Sequence, residues 1–303
     1  MEESIMIPNA TLANIVKLTG QPLILVAATG LWWVLGATDN ASLMTVLVVL
    51  GLMAWLERLA PAMPSWRVSG RTALCLAGLY ALTIGLSGLF IAVYDATLPT
   101  AFVAVRESAW GQRWPRSWAW PVQTLLLFFL SDLIYYWVHR SIHRYRALWR
   151  ATGHGFHHAM QNLSALNTGS SHPFELVLVV LPLALLAALF DADKMAIALA
   201  GMLLPVNAVL VHANVRMATP GFSWVITSSD QHRRHHSAVF DESNSNYACN
   251  AILWDRLFGT FGVGELHQTG IGPSQPTVAQ LFMLPWREPK DADTIATRVA
   301  KSA

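Results

Sequence analysis

Eight of the eleven histidines fall in three compact groups: His139-Arg-Ser-Ile-His143, His154-Gly-Phe-His157-His158 and His232-Arg-Arg-His235-His236. Residues three and four apart share one face of a helix, so each group is expected to point two or three imidazoles in one direction. Imidazole binds iron, zinc and copper, and a structural zinc site uses four ligands, so eight clustered histidines point to two metal ions. A lone H-x3-H pair is as often exposed or capping, but repetition of the tighter pattern is a metal signature. Zinc hydrolysis is the poorer fit, because such sites keep few protein ligands, an open position and often a carboxylate base. It stays as the alternative chemistry.

Outlying residues extend the candidate shell. His212 closes an apolar run and is expected at the depth of the clusters as a further ligand. His172, before Pro173 and another apolar run, reads as a ligand, a donor behind the ligands or a helix-start residue. His267 follows Glu265 in a polar stretch and is set aside as a surface residue. Asp132 precedes His139 by two helical turns inside an apolar run. An intramembrane carboxylate is costly and usually paired. Asp132 is expected to accept an imidazole N–H and fix that ring's tautomer, the alternative being an ion pair with a nearby arginine.

The elements that must position these residues are membrane helices. The chain has 303 residues, 54% hydrophobic and 13% charged, with a mean hydropathy of +0.41, which does not describe a soluble surface. Apolar runs at 22–37, 43–56, 72–94 and 118–138 precede the first histidine group, and runs at 174–190 and 195–211 follow the second. With their flanks the first four reach the roughly 17–25 residues of a spanning helix, while the last two are marginal and form a hairpin around Asp191–Lys194. The fold class is therefore all-α: a polytopic membrane helical domain with a cytosolic, histidine-rich helical cap holding a dimetal centre. Three regions follow: helices and an interfacial connection over 1–117, a catalytic region over 118–262 and a polar tail over 263–303.

Positive charge sets the orientation, because Lys and Arg near span ends favour the cytoplasmic side. Lys17, the loop with Arg58, Arg67 and Arg71, and the stretch Arg140–Arg150 then lie inside with every histidine group. Arg106, Arg113 and Arg116 fall in a connection that alternation places outside, beside Trp110, Trp114, Trp118 and Trp120, which reads as an interfacial segment. A net charge of +2 leaves no nucleic-acid footprint, and Cys75 and Cys249 alone give no disulfide framework. The acidic start MEESIM lacks the pattern of a cleaved secretory signal. No G-x-G-x-x-G follows a strand-like run, so no dinucleotide cofactor is expected. Gly78, Gly85 and Gly88 suit close helix packing.

The run Asp132-Leu-Ile-Tyr-Tyr-Trp-Val-His139, His154-Gly-Phe-His157-His158, His172-Pro-Phe-Glu175, His212-Ala-Asn214, His232-Arg-Arg-His235-His236, Asn246-Tyr247 and Trp254–Thr260 resembles the fatty acid hydroxylase and sterol desaturase superfamily over about half the chain. The resemblance implies a cytosolic pair of iron ions held by His139, His143, His154, His157, His158, His212, His232, His235 and His236, with zinc as a substitute in purified protein. It also implies molecular oxygen as oxidant, an external electron-donor protein, and a lipid substrate (sterol, fatty acyl, sphingoid, ether-lipid or carotenoid) that is hydroxylated or desaturated. One departure is Arg216, where some acyl hydroxylases carry a further histidine; Asn214, a water or His172 are its possible substitutes. The alternative class is a membrane protein that binds or transports metal without turnover, for which ionisable groups through the span interiors and repeated halves would be expected.

Overall fold

The computed structural model describes residues 10–66, 68–264 and 268–287. Arg67, His267, the acidic start of the chain and the polar tail beyond 287 lie outside the described residues. In chain order the helices that carry the argument begin with α1 (Ala10–Val34), α2 (Asp39–Leu59), α3 (Gly70–Ala101) and α4 (Trp120–Arg144). Two short helices, α5 (Arg146–Thr152) and α6 (Gly155–His158), lead to the apolar helices α7 (Pro173–Leu189) and α8 (Lys194–His212). The short helices α9 (Ser229–His235), α10 (Leu253–Leu257) and α11 (Val278–Phe282) complete the set. The all-helical expectation holds: the described residues contain no strand, only isolated bridges at Pro61–Val215 and Ser237–Thr269.

Five helices, α1 to α4 and α8, are long and apolar enough to cross a membrane. At 17 residues α7 is shorter, in line with the marginal length read from its sequence. Hydrocarbon offers no partner to a free backbone N–H or C=O, which is why apolar runs of this length settle as helices. Their starts are written locally. Thr38 caps α2 by accepting from Ala41 N, Ser69 caps α3 by accepting from Thr72 N, and Asp193 caps α8 by accepting from Met195 N and Ala196 N. Among the five spans α8 is the most buried and α3 the least; α8 packs against α2 and α4, and α3 against α7. Leu23, Val26, Leu74, Leu89 and Leu125 point outward from α1, α3 and α4, as a lipid-solvated face requires.

Successive spans alternate, so the C-terminal ends of α2, α4 and α8 and the N-terminal ends of α3 and α7 meet on one side with the histidines. The opposite side carries the tryptophan-rich connection. Arg116 Nε lies 3.7 Å from Asp191 in the α7–α8 turn, and Gln123 accepts from Trp114 Nε1 and Asp193 N. Arg116 therefore belongs to the face away from the histidines, as strict alternation demands.

A chain of buried amides fastens the spans to the polar cap. Gln21 Nε2 on α1 donates to Asn207 Oδ1 on α8 (2.8 Å) and to the Thr227 carbonyl (2.7 Å), and Asn207 Nδ2 donates to Asn250 Oδ1 (3.3 Å). Gly169 permits a close approach between the cap and α3. A Cβ there would lie 2.5 Å from Tyr80 Cα, while Thr83 Oγ1 on α3 donates to the Gly169 carbonyl at 2.7 Å. Gly169→Ala must push α3 off the loop and is expected to cost about 1–3 kcal/mol, the scale of core overpacking. A lowered thermal midpoint in detergent would bear this out, and an unchanged one would contradict the close approach.

Candidate metal centre

Two sets of imidazoles converge at the cap. His139, His143, His154, His158 and His235 bring ligand atoms within 4.8 Å of one another, and His157, His212, His232 and His236 do the same. The second set draws from α6, the last residue of α8 and the α9 region, the first from α4, α6 and α9. As expected, each sequence group points at least two imidazoles the same way: His139 with His143, His154 with His158, and His232 with His236, while His157 and His235 cross to the opposite sets. Neighbouring helix positions diverge by about 100°, so His158 and His154 go to one set and His157 to the other. Likewise His232 and His236 share a set while His235 crosses to the first.

A neutral imidazole has one N–H and one lone pair. Where Nδ1 faces a carbonyl, Nδ1 must carry the proton and Nε2 presents its lone pair. His139 Nδ1 donates to the Tyr247 carbonyl (2.7 Å) and His235 Nδ1 to the Ser245 carbonyl (2.9 Å), yet their Nε2 atoms are 3.1 Å apart. His157 Nδ1 donates to the Ser170 carbonyl (3.3 Å) and His212 Nδ1 to the Ala208 carbonyl (2.8 Å), with Nε2 atoms 3.2 Å apart. Two lone pairs face each other in both sets with no hydrogen between them. Extra protons do not resolve the repulsion. Burial holds His154 down to about 3, and burial with the neighbouring His212 does the same to His157. Burial and adjacent imidazoles hold His158, His232, His235 and His236 well below the ordinary histidine value. A cation fits where lone pairs converge.

The spacing also bears on coordination number. With ligands at roughly 2.1 Å, nitrogens at right angles lie about 3.0 Å apart and tetrahedral ones about 3.4 Å apart. His139 and His143 approach His154 at 3.0 Å between Nε2 atoms, and His232 approaches His212 at 3.0 Å and His236 at 3.2 Å. These distances suit five- or six-coordinate centres better than tetrahedral zinc.

Buried carboxylates hold the frame behind the rings. Asp132 corrects a sequence expectation: its oxygens accept Asn250 N (2.9 Å), Asn250 Nδ2 (3.2 Å) and Ala251 N (2.8 Å), and no imidazole. It fixes the loop whose Tyr247 carbonyl orients His139, and so acts one residue layer further out. Asp255 accepts Tyr247 N and Ala248 N, both at 2.8 Å, from the other side of that loop. Asn246 turns the loop at φ 55, a conformation asparagine tolerates, with Nδ2 donating to the carbonyls of Gln231 and Gly262. Asn214 likewise faces away from the rings, its amide bonded to Met63 and to the Trp66 carbonyl. Arg216 is exposed beside Asp230 and reaches no histidine set.

His172 stands apart from both sets and behaves as a helix-start residue. Its Nδ1 accepts from Phe174 N (3.2 Å) at the start of α7, and its ring packs near Phe282 and Trp286. It also lies against Gly153, where a Cβ would come within 2.6 Å of its ring and where φ is +68. Two acids escaped the sequence reading. Glu175 Oε1 accepts His154 Nδ1–H at 2.7 Å with both side chains fully buried, and Glu57 accepts Ala165 N (2.6 Å) and Asn214 N (2.8 Å). The signal was present: each is an acid inside or at the edge of an apolar run, where ionisable groups are expensive.

A multi-pass helical membrane protein with twin imidazole sites that could hold metal is the class that fold and site define. Residues 124–260 match the fatty acid hydroxylase family. The chain is 32% identical over 224 residues to an ornithine lipid hydroxylase of Rhizobium tropici, covering 71% of this chain and 65% of that protein. It is 32% identical over 151 residues to an alkylglycerol monooxygenase of Danio rerio, covering 49% of this chain and 31% of that protein. It is 29% identical over 140 residues to a very-long-chain aldehyde decarbonylase of Oryza sativa subsp. indica, covering 46% and 52%. The chain thus spans less than two thirds of the length of these relatives. No solved structure matches it.

The depressed histidine values fix a pH dependence for the metal-free protein. His154 and His157 stay neutral in the fold down to about 3, whereas the unfolded chain protonates them near the ordinary 6.5. Between these values the unfolded state binds more protons, so stability falls as pH is lowered from 6.5 toward 3, and this contribution is flat above 6.5. Thermal unfolding of chelator-treated protein should show a midpoint that drops on acidification through this window. A midpoint that rises would contradict the assignment of neutral rings.

Proposed function

We propose that this protein is an oxygen-dependent di-iron oxidoreductase of the membrane that hydroxylates or desaturates a lipid. The observation that carries the reading is the convergence of nine imidazoles, eight of them buried and His157 half-buried, into two adjacent sets. The names of the relatives, an ornithine lipid hydroxylase and an alkylglycerol monooxygenase, favour hydroxylation of a lipid. His139, His143, His154, His158 and His235 would hold one iron, and His157, His212, His232 and His236 the other. Bound there, the iron pair would supply the oxidising power of oxygen toward an unreactive C–H bond.

The chain's own residues position and protect that chemistry. The carbonyls of Tyr247, Ser245, Ser170 and Ala208 take Nδ1 protons and so turn Nε2 lone pairs inward. All the rings except the half-buried His157 are buried, which limits access of bulk water to the reacting centre. His139, His143 and His212 sit at span ends, where a lipid chain entering from the bilayer side would bring a methylene to the centre without leaving the membrane. Arg58, Arg71, Arg140, Arg144, Arg146 and Arg150 gather on the histidine side, which supports a cytosolic centre. An external electron-donor protein would deliver electrons there. We assign the catalytic region to residues 118–262.

Lipid extracts from cells expressing the protein under isotopically labelled oxygen test this reading. The expected result is a lipid carrying one labelled oxygen, or one lacking two hydrogens. The purified protein should hold two irons per chain, and His235→Ala should lower product by roughly 100-fold or more while releasing iron. An iron-loaded, folded protein that leaves every lipid unchanged would overturn the oxidoreductase assignment.

A further inference from the structure

We infer that Glu175 makes the two metal positions unequal: acting through His154, its carboxylate is hydrogen-bonded to the five-histidine position and to no ring of the four-histidine position. The inference rests on the metal-centre reading above. Three buried acids and the half-buried Glu57 surround the cap, and all but Glu175 are spent on the backbone. Glu57 accepts from Ala165 N and Asn214 N, Asp132 from Asn250 N and Ala251 N, and Asp255 from Tyr247 N and Ala248 N. Glu175 instead takes the Nδ1–H of His154 at 2.7 Å, and its second oxygen is buried with no partner among the described residues. The Tyr135 hydroxyl donates to the same Oε1 at a long 3.5 Å.

The contrast with the other rings is chemical. The Nδ1 atoms of His139, His235, His157 and His212 meet neutral backbone carbonyls, and those of His143, His158, His232 and His236 meet none among the described residues. A carboxylate behind an imidazole raises its basicity and orients it, with a full charge where a carbonyl offers a dipole. A buried, half-satisfied carboxylate is costly unless a cation lies close. An ion bound by His154 would be that cation, one ring away. Glu175 is aimed there by its place in the first turn of α7, behind Pro173 and the His172 cap. Its charge favours the more positive ion at the five-histidine position, so that position should bind its ion more tightly and be the harder of the two to reduce.

The full-length protein loaded with iron-57 tests this by Mössbauer spectroscopy and chelator competition. Wild type should show two doublets of equal area. Glu175→Gln keeps the shape and an acceptor oxygen but removes the charge, so a merely structural role predicts no change. The expected result is that one doublet shifts clearly more than the other, and that one iron per chain leaves at a chelator concentration roughly 10–100-fold lower. If the Gln variant does not fold, Glu175→Asp, which draws the carboxylate back by one methylene, should likewise shift one doublet more than the other. Doublets and release that match wild type in a folded variant would overturn the inference and leave the iron reading standing. Wild-type protein that binds no iron would overturn the reading itself, and the inference with it.

Discussion

The rest of the structure depends on holding neutral imidazoles with their lone pairs facing one another inside a buried cap. Without an ion this arrangement is repulsive, because Nε2 atoms at 3.0–3.2 Å share no proton. Groups outside the site must therefore hold the rings in place, and five of the nine are held by hydrogen bonds at Nδ1. Each outward-facing Nδ1–H that has a partner is fixed to a carbonyl or carboxylate of a different segment or of the preceding helical turn. Ring orientation is thereby tied to the placement of loops.

Those loops are in turn placed by carboxylates whose charge is satisfied by pairs of backbone N–H groups. Asp132 reaches from a membrane span into the 250–251 turn, Asp255 closes the 247–248 turn, and Glu57 ties the loop at Ala165 to the chain just after His212. The amide chain Gln21–Asn207–Asn250 joins this frame to α1 and α8. Polar groups buried at this depth cost stability unless every bond is made, so the frame specifies one geometry. The spans contribute by bringing the ends of α4 and α8 to a common level, which places His139, His143 and His212 at one depth.

Much of this was legible in the sequence, for identifiable reasons. Hydropathy finds α7 and α8 to within a residue at each end, because their boundaries coincide with charged or capping residues, but stops α4 at 138, six residues before its end at Arg144. It misses the first turns of α1, where Asn14, Lys17 and Thr19 dilute the apolar signal. It also cuts α3 short at Tyr94, because the 32-residue helix runs on past Asp95 to Ala101. At about 1.5 Å per residue it outlasts the roughly 30 Å of hydrocarbon. Histidine clustering points to a metal site but not to how the rings divide. Adjacent letters such as His157 and His158 serve different sets, which only the helical rotation of α6 decides. The partners of Asp132 and Glu175 were hidden because they lie 118 and 21 residues away in the chain.

The central claim is that these imidazoles supply nearly all the inner ligands of two irons. X-ray absorption at the iron edge of the loaded protein measures it directly. The account predicts four to five imidazole nitrogens per iron, at about 2.0–2.2 Å, with the outer-shell signature of histidine rings. A first shell with sulfur, or one dominated by oxygen with two or fewer nitrogens, would contradict it.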